Sequence, residues 1–174
     1  LGPPLEIEEE MDITSKQKDT IQSILSVFET GEPLGDYGAA IVLPDGAGIS
    51  YGKHQATDKG GNLDVIVMRY IDLGGQYADV LRQYLPKLEL NETAKVDPSN
   101  LPDWVEHLMA ALRVAAMDPV MKRAQDEVFD EQYWQPAVAQ CEAMGLEHAL
   151  SWCIVYDTCI HSGPGGVSKI RRKF

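Results

Sequence analysis

Two acidic residues, Glu29 and Asp45, lie on either side of a stretch interrupted by glycine and proline. Glu29 stands at the end of an amphipathic segment, and Asp45 precedes Gly46 and Gly48 in a predicted turn. A carboxylic acid at the end of an apolar helix is expected to keep its proton, because desolvation and the helix dipole disfavour the anion. A carboxylate in a hydrated turn stays ionised. One proton donor and one ionised base are what hydrolysis of a glycosidic bond requires.

The spacing of this pair is weak evidence by itself, since 27 of the 174 residues are Asp or Glu. The alternative is a helix C-terminus followed by an ordinary Asp-Gly turn. Glu32 and Asp36 also lie near enough in sequence to compete for either role. The residues around the pair therefore decide its interpretation.

Three short motifs surround the two carboxylates: Ser-Val-Phe-Glu-Thr-Gly at 26–31, Asp-Tyr-Gly at 36–38 and Asp-Gly-Ala-Gly-Ile-Ser-Tyr-Gly at 45–52. This run resembles the active-site segment of the chitosanase-type glycoside hydrolases of family 46, which belong to the lysozyme-like superfamily. The Gln125-Asp126 pair and the segment 133–137 extend the resemblance. It implies inversion by a single displacement, with Glu29 as the general acid, Asp45 as the base and Ser50 orienting the water. The two carboxyl groups should then stand about 6.5–9.5 Å apart.

Further residues are candidates for binding and support. Amphipathic rings and amides both stack on sugars and hydrogen-bond to them, so the predicted sugar contacts are Tyr37, Tyr51, His54 and Gln55. The alternative for each is an ordinary packed or surface side chain. The resemblance gives Asp157 a place in a polar network that supports the acid, with Arg171 and Arg172 as substitutes for later arginines. Such enzymes usually continue into a further helical portion, so the chain is expected to be a compact version or to lack its end. No metal or cofactor is expected.

The pattern along the chain predicts a mainly α domain with a small β-hairpin. The resemblance implies that this is an α+β lysozyme-like fold, a helical two-lobed domain whose hairpin carries part of the active site. Thr14 to Gln17 has the form of a capping box, before an apolar stripe of Ile21, Ile24, Leu25 and Phe28. Strands are predicted at 39–43 and 49–51, and helices near 63–71, 77–85, 101–117, 118–130, 132–144 and 146–160. The last helix is apolar nearly all round and should run through the core. Residues 1–12 are predicted to be a disordered lead or linker, 13–174 the domain, and 91–100 the boundary between lobes.

Composition limits the partners. The net charge of −12 opposes binding to nucleic acid and favours cationic polymers such as chitosan over anionic cell wall. No apolar run approaches the roughly 18 residues that a membrane span needs, so no membrane insertion is expected. The three cysteines have no metal-binding spacing and are predicted to be buried free thiols, which fits synthesis in a reducing cytoplasm. We expect a monomer.

The residues 49–57 with Gly-Gly-Asn-Leu at 60–63 look more like the bacterial and phage cell-wall-degrading branch of the superfamily. This likeness outweighs the charge argument. The sequence therefore predicts a muramidase-like hydrolase of β-1,4 bonds in peptidoglycan, as the C-terminal toxic domain of a secreted antibacterial effector. Such a protein would be made without a visible signal peptide, delivered to the periplasm of a target cell and neutralised by an immunity protein. The alternatives are a chitosanase and an inactive wall-binding module.

Overall fold

The computed structural model describes residues 13–31 and 35–173, without the side chains of Glu29 and Thr30. The predicted lead, 1–12, lies outside these residues. The chain divides into two compact units. The first contains α1 up to Leu25 together with Tyr133 onwards, and the second is Ser26–Gln132. The division does not fall at 91–100 as predicted, since that stretch lies within the second unit.

The described residues are mostly helical with one small sheet, as predicted. The helices are α1 (Ser15–Thr30), α2 (Leu63–Asp72), α3 (Ala78–Arg82), α4 (Leu85–Glu89), α5 (Asp103–Ala115), α6 (Pro119–Phe129), α7 (Gln135–Ala143), α8 (Ala149–Ser162) and α9 (Gly166–Arg171). A 3-10 turn spans Glu92–Lys95, and a π-helical turn, Asp130–Trp134, joins α6 to α7. Within this part of the chain no helix has both the length and the apolar character to cross a membrane.

The sheet is antiparallel, in the order β1 (Ala40–Val42), β2 (Ile49–Tyr51) and β3 (Ala56–Thr57). Ser50, at the centre of β2, pairs with Ile41 on one side and with Thr57 on the other. The predicted hairpin is present. The third strand was not predicted, because two residues are too few to show an alternating pattern.

Helix α1 begins with the predicted capping box. The side-chain oxygen of Gln17 accepts from the Thr14 amide and hydroxyl, each at 2.9 Å, and the Gln17 amide donates back to the hydroxyl at 3.3 Å. The buried stripe is narrower than predicted: Ile21 is buried, whereas Ile24 is 42% exposed and Phe28 is 83% exposed.

The core of the first unit forms around tryptophans. It consists of Ile21, Leu25, Trp134, Ala137, Cys141, Trp152, Val155, Tyr156, Cys159 and Val167. Trp134 meets Tyr156 edge to face, with ring centroids 5.1 Å apart. Helix α8 does not run through this core as predicted, since Leu150 and Ile154 on its other face are 72% and 60% exposed. The three cysteines are free; Cys141 and Cys159 are buried and Cys153 is partly exposed.

The second unit packs α2 against α6 and the sheet. Its fully buried side chains include Ile49, Tyr51, Leu63, Ile66, Tyr70, Leu81, Leu88, Leu108, Leu112, Met121 and Gln125. Asp118 joins two of the helices, because its carboxylate accepts from the Tyr70 hydroxyl at 2.8 Å and from the Val120 amide at 2.9 Å, where it caps α6. This packing supports the sheet and the loops around it.

Candidate active site

Asp45 occupies the turn between β1 and β2, as predicted. Its side chain is exposed, and one carboxylate oxygen accepts from the Ala47 amide at 2.9 Å. Gly46 and Gly48 have φ of +75° and +82°, a conformation that side chains other than glycine rarely adopt. The tight turn therefore orients the carboxylate while leaving it in contact with water, which suits a base.

Glu29 lies in the last turn of α1, where the sequence predicts it. Gly31 follows with φ of +78°, and its amide donates to the Val27 carbonyl at 3.0 Å, which ends the helix. The position of the Glu29 side chain and its distance from Asp45 remain predictions, and Glu32 lies outside the described residues. Asp36, the other competitor, is exposed and accepts from the Gly38 amide at 2.8 Å. It stabilises its own turn.

Ser50 is 5% exposed in the central strand of the sheet. It follows the Asp45 turn directly, so the same short hairpin positions both residues. A serine that orients a water needs a fixed backbone, and pairing on both sides provides it. Its role in orienting water stays a prediction.

Tyr37 belongs to a polar cluster that also contains Lys53 and Asp126. Its hydroxyl lies 2.9 and 2.8 Å from the two Asp126 carboxylate oxygens, and the Lys53 ammonium is 3.4 Å from the same carboxylate. Burial and then the adjacent carboxylate raise the pKa of Tyr37, which keeps the phenol protonated. The ring is partly exposed and held in place, consistent with the predicted sugar contact.

Gln125 of α6 joins the loop of Tyr37 to the loop of Lys53. Its side-chain amide donates to the Tyr37 carbonyl at 3.0 Å, and its oxygen accepts from the Lys53 amide at 3.1 Å. A side chain at Gly52 would overlap this amide. The Gln125-Asp126 pair therefore positions both loops that carry the predicted sugar contacts.

The remaining predicted contacts differ in accessibility. Tyr51 is 1% exposed, and its hydroxyl donates to the Leu112 carbonyl at 2.9 Å, so its ring packs in the core and does not face a sugar. His54 stacks on Phe129 with ring centroids 4.0 Å apart. Burial, with a smaller effect of Lys53, lowers the pKa of His54 to about 3, so the imidazole is neutral at ordinary pH. Gln55 is exposed in the same loop with φ of +51° and is accessible to a ligand.

Asp157 lies on α8, in the other unit. Its carboxylate is 46% exposed and 3.4 Å from the His161 imidazole. Asp157 is therefore not a buried charge. The Arg172 side chain, just after α9, donates to the Ser168 carbonyl of that helix at 3.2 Å. The predicted supporting role of Asp157 stays a prediction.

One buried contact beside the candidate base could not be predicted from the sequence. Asp58 and Thr93 are both 0% exposed and hydrogen-bonded to each other. The two residues are 35 positions apart in the sequence and each lies among polar residues, so no sequence pattern indicates that they are buried together. Among the residues that the structure describes, no group of three or more His, Cys, Asp or Glu side chains has a metal-binding arrangement.

Comparison with known proteins supports the resemblance. The model of glycosyl hydrolase family 46 matches residues 23–174. A chitosanase of Bacillus subtilis (strain 168) is 32% identical over 154 residues, which are 88% of this chain and 53% of the relative. A chitosanase of Streptomyces sp. (strain N174) is 32% identical over 127 residues, 71% of this chain and 42% of the relative. The chain thus spans about half the length of these curated relatives.

A solved structure is similar across most of the chain. The complex of the Gynuella sunshinyii GH46 chitosanase with chitotetraose aligns with a TM-score of 0.77 at 29% identity. The alignment covers 92% of this chain and 66% of that one. The helical fold and the small sheet described above are therefore those of a known group of structures.

Proposed function

We propose that this chain, which belongs to glycosyl hydrolase family 46, hydrolyses the β-1,4 bonds of chitosan. The observation that carries the proposal is the family match over residues 23–174, which includes both candidate carboxylates. Two relatives named chitosanase and a chitosanase solved with chitotetraose support the choice of polymer. The net charge of −12 supports it too, since an acidic surface attracts a polycation.

The proposed reaction is a single displacement. Glu29 donates its proton to the leaving oxygen while Asp45 removes a proton from water, which attacks the anomeric carbon from the opposite face. Ser50 orients this water. Tyr37, His54 and Gln55 bind the sugar units, His54 in its neutral form. The exposed Asp45 carboxylate and the strand pairing of Ser50 are compatible with these roles.

A wall hydrolase is the second candidate, favoured by the residues 49–57 that look like the cell-wall-degrading branch. Delivery into a target cell and an immunity protein belong to that prediction, whereas a monomer is expected for either candidate. The chitosanase relatives support the first candidate, contrary to the preference drawn from the sequence.

Parallel digestion of chitosan and of purified sacculi separates the candidates. Soluble glucosamine oligomers from chitosan, with intact sacculi, are the expected result. Muropeptide release from sacculi with intact chitosan would reverse the assignment, and binding without cleavage of either polymer would indicate an inactive module. Asp45→Asn is the control in each digestion, since it keeps the size of the side chain and removes the base.

A further inference from the structure

Thr93 and Asp58 form a buried pair beside the Asp45 turn. Both residues are 0% exposed. The Thr93 amide and hydroxyl donate to the same Asp58 carboxylate oxygen, at 3.0 and 2.5 Å. Hydrogen bonds to a carboxylate are stronger than those between neutral groups, so this contact fixes the orientation of the Thr93 side chain.

The Thr93 hydroxyl also holds the start of strand β2. Its oxygen accepts from the Ile49 amide at 3.0 Å, while its single hydrogen is given to Asp58. From the other side, the Asp58 amide donates to the Ile49 carbonyl at 3.2 Å. Both backbone groups of Ile49 are therefore held by this pair, one residue before Ser50.

The turn that carries Asp45 also packs closely against Thr93 and Asp58. A Cβ at Gly48 would overlap the Thr93 hydroxyl and lie 2.9 Å from both the Ala94 amide nitrogen and the Asp58 Cβ. Next to it, the Ala47 carbonyl accepts from the Lys59 amide at 3.1 Å, and the Ala47 amide donates to the Asp45 carboxylate at 2.9 Å. The backbone of three consecutive residues, Ala47, Gly48 and Ile49, thus connects the Asp45 carboxylate to the Thr93 and Asp58 pair.

We infer that Thr93 and Asp58 are positioning residues for the reaction: they hold the base Asp45 and the water-orienting Ser50 in one fixed arrangement. This inference rests on the proposed function. Both residues are fully buried, so they act on the rate through Asp45 and Ser50 and not on substrate binding. The pair also attaches the polar stretch around Thr93 to the second unit, to which that stretch belongs.

The test is Thr93→Val, which keeps the shape of the side chain and removes the hydroxyl. We expect kcat on soluble chitosan to fall about 10- to 100-fold, because a displacement of about 1 Å at a catalytic group can cost that much. KM should stay within about twofold. Thr93→Ser, which keeps the hydroxyl, should restore most of the rate.

The matched control is Tyr70→Phe, which removes another buried hydroxyl that donates to a carboxylate, that of Asp118 at 2.8 Å, in the same unit. It should lower the melting temperature and leave kcat unchanged, which separates positioning from general loss of stability. Should Thr93→Val not fold, Asp58→Asn replaces it, because asparagine keeps one oxygen for Thr93. For that variant we expect an intermediate loss of kcat.

Wild-type kcat in folded Thr93→Val or Asp58→Asn would overturn the inference, as would an equal loss in Tyr70→Phe. These results leave the proposed function standing if Asp45→Asn is inactive. A fully active Asp45→Asn would instead refute the proposed base, whatever the behaviour of Thr93.

Discussion

Replacing Gln125 by methionine tests whether one buried amide holds the two loops of the candidate site. Methionine has a similar volume and can make neither hydrogen bond, so the Tyr37 carbonyl and the Lys53 amide lose their partner. Leaving a buried backbone group unpaired costs about 1–3 kcal/mol. Both bonds are only partly buried, so water replaces part of the loss, and we expect about 2 kcal/mol in total.

For a chain of this length, about 2 kcal/mol lowers the melting temperature by roughly 4–8 °C. Thermal and urea unfolding followed by circular dichroism measure this change. The matched control is Gln83→Met: Gln83 lies exposed beyond α3, where its amide donates to the Asp79 carbonyl at 3.3 Å. A surface substitution of this kind should stay within about 0.5 kcal/mol. If Gln125→Met lowers the free energy of unfolding by less than about 1 kcal/mol, or by as much as Gln83→Met does, then Gln125 does not hold the two loops together.

Three further predictions concern pH, water and charge. The pKa of His54 is about 3 in the folded state and about 6.5 in the unfolded state, so between these pH values only the unfolded state binds the proton. The free energy of unfolding should therefore fall by about 1.4 kcal/mol for each pH unit as the pH drops from about 6.5 towards 3. His54→Gln should remove this slope from urea titrations at pH 4–7; an unchanged slope would show that His54 titrates normally. Ser50→Ala should reduce kcat less than Asp45→Asn in chitosan assays, and an equal loss would mean that Ser50 does more than orient water. Salt should raise KM for chitosan by screening the attraction over a Debye length of about 10 Å at 0.1 M, whereas a KM for chitosan that is unchanged or falls with salt would refute this attraction.

The fold could largely be predicted from periodicity and turn residues. The capping box at Thr14, the hairpin around Asp45 and the run of helices all follow from short-range patterns. The predicted burial of two helix faces was wrong, because burial depends on which other element packs against the face. Phe28 and Ile154 have helical apolar spacing but are exposed, since spacing does not show how wide the buried stripe is.

The candidate site could be predicted where residues are close in the chain and not where they are distant. Asp45 and Ser50 share one hairpin, so their sequence context places both. Tyrosine is a residue type that often contacts sugars, but the Tyr51 hydroxyl donates to the Leu112 carbonyl, 61 residues away, in the core. The hold of Thr93 on the turn is likewise a long-range contact between polar residues, which no periodicity signals.

The anomeric form of the first product tests the central claim most directly. Proton NMR during hydrolysis of a chitosan oligosaccharide distinguishes the α from the β anomer before they interconvert. With Glu29 as the acid and Asp45 as the base of a single displacement, the β-linked substrate should yield the α anomer first. Initial appearance of the β anomer would mean a covalent intermediate and would contradict the assignment of Asp45 as a base acting on water.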